Sequence, residues 1–135
     1  MSLVQRWILP LSACPMSNAF YAGMHWSKRV KLKRNTFTRM LAQSGRRKGD
    51  PLPGRPLVLA VRETSYDQPP DPDQASSWLK LPLDCMKDSS GLGFLRDDRG
   101  DCVRVVALWK KAPPKKGQVI IELWEDENAI LEARG

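Results

Sequence analysis

Seven residues, Leu57-Val-Leu-Ala-Val-Arg-Glu63, constrain the fold of this chain more than any others. They are apolar at both parities as far as Arg62, so neither face of the extended segment is fit for water. A strand of that kind belongs inside a sheet, with neighbours on both edges. It is punctuated on both sides, by Arg46-Arg-Lys-Gly-Asp-Pro-Leu-Pro-Gly54 before it and by Ser65 to Pro70 after it.

The other elements arrange themselves around this strand. Val4 to Leu9 reads as a first strand with Gln5, Trp7 and Leu9 on one side and Val4, Arg6 and Ile8 on the other. Ser27 is placed to cap a helix from Lys28 to about Ser44, with Val30, Phe37, Met40 and Leu41 as its apolar stripe, Leu32 flanking, and Gly45 as its end. From Gln74 to Lys87, Ala75, Trp78, Leu79, Pro82, Leu83 and Met86 repeat at helical spacing, with a kink expected from Pro82 near Lys80. Asp88 to Gly93 is a turn. Cys102 to Trp109 and Val119 to Trp124 read as two strands joined by a basic hairpin tip, Lys110 to Gly117. The order β-α-β-α-β-β predicts a two-layer α+β domain, a mixed β-sheet with helices packed on one face, over residues 1–125, with a polar tail at 126–135.

At 135 residues, 41% hydrophobic and 27% charged, the chain has the makings of one domain with a real core. No apolar run is long enough to cross a bilayer, and Met1 to Leu11 lacks a cleavage signal, so a cytoplasmic location is expected. Cys14, Cys85 and Cys102 are odd in number and widely spaced, which argues against a disulfide framework and a structural zinc site. His25 is the only histidine, which excludes a His-rich metal centre and leaves little room for a Ser/His/Asp or Cys/His triad.

Charge is distributed unevenly. Ten of the 22 Lys and Arg residues precede Asp50, the first acid; the remaining twelve accompany all fifteen Asp and Glu. A half with only positive charge implies a polyanionic partner, and nucleic acid fits it best. Lys28, Arg29, Lys31 and Arg34 on the first helix, Arg46, Arg47 and Lys48 after it, and Lys110 and Lys111 at the hairpin tip are the candidate DNA contacts.

Against that basic background stands Pro69-Pro-Asp-Pro-Asp-Gln74, followed by Gly93-Phe-Leu-Arg-Asp-Asp98. The prolines bias Asp71 towards extended backbone, so that Asp71 and Asp73 project to one side. Like charges held so close call for a cation, and hard oxygen donors with room for water are the terms on which proteins hold Mg2+. Asp97 and Asp98 point apart if extended, so only one of them belongs next to such an ion, and the other, with Asp84, is a candidate to support it from behind.

Asp71-x-Asp73, Lys80-x-x-x-Asp84 and Gly93-Phe94 with Asp97-Asp98, together with Ser17-Asn18, Tyr21, Trp26 and Lys28-Arg29 upstream, resemble the RusA-type Holliday junction resolvases over roughly residues 4–125. The resemblance implies a homodimeric, Mg2+-dependent endonuclease, with Mn2+ as an alternative ion, often phage-encoded. Such an enzyme resolves four-way DNA junctions by paired nicks in recombination and repair. It implies Asp71, Asp73 and Asp98 as metal ligands and Lys80 as the catalytic lysine. Two positions depart from the family pattern: Gln74 stands where Asn is usual, and the proline after the lysine is displaced by one, to Pro82.

Simpler readings compete with each of these. Acids beside prolines are often solvated turns, Lys80 with Asp84 is also the spacing of an ordinary i,i+4 surface pair, and a basic helix face can serve solubility alone. Phe20, Tyr21 and Trp26 fit packing better than base stacking. The alternative function is a non-catalytic, basic nucleic-acid-binding or regulatory protein built on the same fold; a small RNA-associated protein would leave the carboxylates without a role.

Overall fold

The computed structural model describes residues 2–16, 23–44, 50–65, 77–87, 91–114 and 116–128. The fold is α+β. Strand β1 (Leu3–Leu9) is followed by a 3-10 turn (Leu11–Ala13), helix α1 (Trp26–Ser44) and strand β2 (Leu57–Thr64). A second 3-10 turn (Ser77–Leu79) runs straight into helix α2 (Lys80–Met86), and strands β3 (Arg104–Lys111) and β4 (Gln118–Trp124) complete it. The four strands form one mixed sheet in the order β1-β4-β2-β3. The apolar strand β2 lies inside, antiparallel to β4 and parallel to β3.

Alternation sorts the sheet into two faces. On the inner face Trp7, Ile121, Ala60 and Ala107 lie side by side across all four strands, and Leu9 and Val119 continue the layer. Met40 of α1, Met86 of α2 and the loop residues Leu92, Phe94 and Leu95 close over this face in a single buried cluster. Trp7 is its pivot: the indole is fully buried, meets the Phe94 ring edge-on at 5.4 Å, and donates its N–H to the Met40 carbonyl at 3.0 Å. Arg62 follows Ala60 on the inner side of β2, donating to the Cys14 carbonyl and stacking over Trp78 at 5.7 Å, and the buried Thr64 ends the row.

An edge strand presents unpaired backbone groups. On β1 the side-chain amide of Gln43 takes the place of a neighbouring strand: its Oε1 accepts from the Ile8 N–H at 2.8 Å and its Nε2 donates to the Ile8 carbonyl at 2.8 Å.

Several expectations need correction. The N-cap of α1 is His25 rather than Ser27: its Nδ1 accepts from the Ser27 N–H at 3.2 Å, satisfying a donor of the first turn. Val30 is 48% exposed, because the buried stripe of α1 runs through Thr36 and Met40 instead. Pro82 does not kink a long helix. It sits in the first turn of α2, where its missing N–H costs nothing, and the 3-10 turn supplies the change of pitch at Lys80. Strands β3 and β4 are not a hairpin, because β2 lies between them and the 112–117 connection crosses its end. Residues 45–49, 66–76 and 129–135, and with them Arg46, Arg47, Lys48, Asp71, Asp73 and Gln74, lie outside the described residues.

Replacing Gln43 with Ala removes both bonds to Ile8. At about 0.5–1.5 kcal/mol for each lost bond, a destabilisation of about 1–2 kcal/mol is expected in urea unfolding, with the m-value unchanged.

Candidate functional site

The site is built where the chain turns back on the carboxyl end of α2. The last carbonyls of a helix have no partners within it. Here the amides of the following loop supply them: Leu92 N–H donates to the Cys85 carbonyl at 2.8 Å, Phe94 and Leu95 N–H to Met86 at 3.0 Å, and Gly93 N–H to Lys87 at 3.2 Å. Two glycines make this return feasible. A Cβ on Gly91 would collide with the Cys85 carbonyl oxygen, and Gly93 sits at φ 79°, in the left-handed region. Leu92, Phe94 and Leu95 then bury in the core, and the polar residues after them are delivered to the flank of α2.

Lys80, Asp84 and Lys87 follow one another at i, i+4 and i+7 along one face of that helix, opposite the buried Leu81, Pro82, Cys85 and Met86. The Lys87 ammonium is the hub. It lies 3.3 Å from Asp84 Oδ1, 3.3 Å from Asp98 Oδ1 and 3.7 Å from Asp97 Oδ1. Partial burial works to lower its pKa, but its hydrogen bonds to Asp98 and Asp84 and their charges outweigh burial and leave it raised. Asp97 is held below its usual range, first by the Asp98 backbone N–H it accepts at 2.8 Å, then by the hydrogen bond with the Asp98 side chain, with Lys87 and Arg99 adding their charges. Arg99 joins the outer side, 3.5 Å from Asp97 and 3.4 Å from Asp101.

Sequence reasoning put Asp84, Asp97 and Asp98 in one neighbourhood, and the structure brings them together. It gave Lys87 no role beyond the polar side of its segment, although a lysine three residues after Asp84 on a helix was a readable signal. Lys80 is exposed at the start of α2. Asp71 and Asp73 lie outside the described residues, and among the described residues no three His, Cys, Asp or Glu side chains are grouped to hold a metal ion. Burial pushes the Cys14 and Cys85 thiols up to about 12, which suits neither of them to act as a nucleophile.

Helix α1 borders this cluster. An open groove of about 290 Å³ between α1 and α2 is lined by Val30, Lys33, Arg34, Phe37 and Cys85. Lys33 from one wall and Asp84 from the other both act on the Cys85 thiol through their charges. Lys28, Lys31, Lys33, Arg34 and Arg39 are exposed, Arg29 is half-buried, and α1 contains no acid. Lys110 and Lys111 lie at the end of β3, opposite Glu63 and Thr64 of β2, where the chain leaves for residues 66–76. Comparison of the chain with protein-family models, with curated proteins and with solved structures returned no match.

Substituting Met for Lys87 leaves three carboxylates facing one another. A stability loss of about 1 kcal/mol is expected at pH 7. Asp97, with its lowered folded pKa, contributes stability above its unfolded value near 3.9 and loses it as pH falls through the folded value. The share of the melting-temperature gap between the wild type and Lys87→Met that arises from the Lys87 charge acting on Asp97 is therefore expected to be present at pH 7 and to shrink as the pH falls through the lowered folded value of Asp97.

Proposed function

We propose that the chain is a metal-dependent endodeoxyribonuclease acting on branched DNA, of the kind implied by its resemblance to the RusA-type resolvases, working as a cytoplasmic homodimer. One observation carries the reading: an acid-free helix with five exposed cations borders a cluster in which Asp84, Asp97 and Asp98 converge on Lys87, with Lys80 one helical turn before Asp84. DNA needs the first for its backbone phosphates, and phosphodiester hydrolysis needs the second.

The donor chemistry suits Mg2+. Carboxylate oxygens are its usual protein ligands, and Asp98 is only part-buried, with its carboxylate already turned to a cation. Asp71, Asp73 and Asp98 are the residues proposed to hold it, and when bound the ion supplies an activated water and neutralises charge on the phosphate. Lys80, exposed one turn before Asp84 on α2, is the residue proposed to bind the scissile phosphate. Lys87 restrains Asp84 and Asp98, and the cations of α1 hold the duplex arms.

Cleavage of a labelled four-way junction, with linear duplex as control, tests the reading. Symmetric nicks are expected in Mg2+ or Mn2+ and none in EDTA. Asp73→Asn and Asp98→Asn are expected to lose at least about 100-fold in cleavage while keeping junction binding, and Lys80→Ala about 100- to 1000-fold. The double substitution Lys31→Ala with Arg34→Ala should weaken binding and lower the salt dependence of affinity by about two ions. Cleavage that persists in EDTA would sink the metal-dependent reading.

A second reading, a basic DNA-binding protein without cleavage, is favoured by one feature: Lys87 already compensates Asp98 from within the chain. Tight junction binding with no cutting in any divalent metal would select it.

A further inference from the structure

The face of the sheet turned away from the helices is apolar across its full width. Ile8, Ile120, Val61 and Leu108 stand side by side on β1, β4, β2 and β3. Leu59 and Val106 extend this row on one side, and Leu3, Trp124 and Leu57 form a further row beyond it. Leu108 is 50% exposed, Ile8 46% and Val106 42%. Charged groups on this face lie among and around the apolar ones and carry both signs: Arg6 is 3.8 Å from Glu122, while Arg104, Glu63 and Lys110 stand at its ends.

We infer that this outer sheet face is the surface on which two copies of the chain pack together. A DNA strand gains nothing from buried leucine and valine and is repelled by Glu63 and Glu122; the uncompensated positive charge lies on α1, in the other layer. A second copy fits, because an apolar centre with mixed charges around it is complementary to itself under a two-fold rotation, Arg6 meeting acids and Glu122 meeting bases. Four strands about 4.8 Å apart and up to eight residues long at about 3.3 Å each give a projected face of roughly 480 Å². The accessible surface of a pleated face exceeds its projection, which brings it towards the roughly 800 Å² per partner of a stable interface. Two such faces pack about 10 Å apart, as in a sandwich.

The sheet edges fit a second copy less well. Gln43 occupies the β1 edge. Antiparallel pairing of β3 with its own copy, centred on Ala107, sets Arg104 directly against Lys110 twice, a like-charge contact that disfavours the pair. That the chain dimerises at all is part of the nuclease reading. The position of the interface rests on the sheet alone.

Sedimentation equilibrium of the full chain up to about 100 μM is the test. A mass twice the 15.3 kDa of the monomer is expected. Leu108→Glu and Ile8→Glu place a charge on opposite edges of the face at positions already half-exposed in the monomer. Each is expected to weaken association at least about 100-fold while leaving the far-UV circular dichroism unchanged. Lys31→Glu, on α1, should leave the mass unaltered. A monomeric wild type, a dimer that survives both face substitutions, or one that Lys31→Glu dissociates overturns the inference. Junction cleavage read on the same samples separates the two questions: a dimer dissociated by the face substitutions but inactive in every metal refutes the nuclease and leaves the interface standing, and an active wild-type monomer refutes the interface and the homodimer while leaving the cleavage chemistry standing.

Discussion

Four backbone hydrogen bonds between the loop after α2 and the carbonyls of that helix hold the candidate site together. Without them the last turn of a seven-residue helix, too short to persist alone, would have its carbonyls unmet. With them, Leu92, Phe94 and Leu95 reach the core, Phe94 meets Trp7, and Trp7 ties the loop to β1 and α1. The acids of 97–98 are carried to Lys87 as a by-product of apolar burial a few residues earlier. Electrostatics then refines a geometry that packing has already set.

The charges of the molecule are separated by layer and by element. Among the described residues, the acids around Lys87 come from α2 and the segment after it, while α1 contributes only cations across the groove. Lys33 and Asp84 act on the Cys85 thiol from the two walls of that groove, and α1 itself carries six cations and no acid. The same excess that suits a polyanion makes α1 unsuited to packing on another copy of itself.

Reading the sequence captured what depends on local pattern. Period-two alternation around Trp7 and Leu9, the two-faced apolar run at 57–63 and the helical stripe ending at Met40 all have the short-range periodicities from which an α+β domain can be inferred. Pairing was harder. Two strands separated by a basic, proline-containing turn read as a hairpin, but β4 pairs with β1 and β2 through contacts more than a hundred and more than fifty residues away in sequence, which no local spacing encodes. The cap of α1 was misplaced for a chemical reason: serine is the commoner cap, and a histidine ring doing the same work with Nδ1 is recognisable only from geometry. At the site, Asp98 was singled out by the family resemblance and not by local pattern, and the hub, although its i,i+3 spacing from Asp84 was readable, was passed over because a lysine at a helix end ordinarily reads as a solvated complement to the helix dipole.

The strand order also bears on how the molecule comes into being. Strand β4 is inserted between β1 and β2, so β1 has no partner strand, and β2 has one open side, until Gln118 to Trp124 have been synthesised and released. During translation the apolar residues of β2 therefore have no partner strand until β3 (Arg104–Lys111) follows, and are paired on one side only until β4 does. Its folding is gated by a late, long-range event and is slow relative to a protein of the same size built from neighbouring pairs. A chain that ends before Gln118 lacks the strand that joins β1 to β2 and is unable to assemble this sheet.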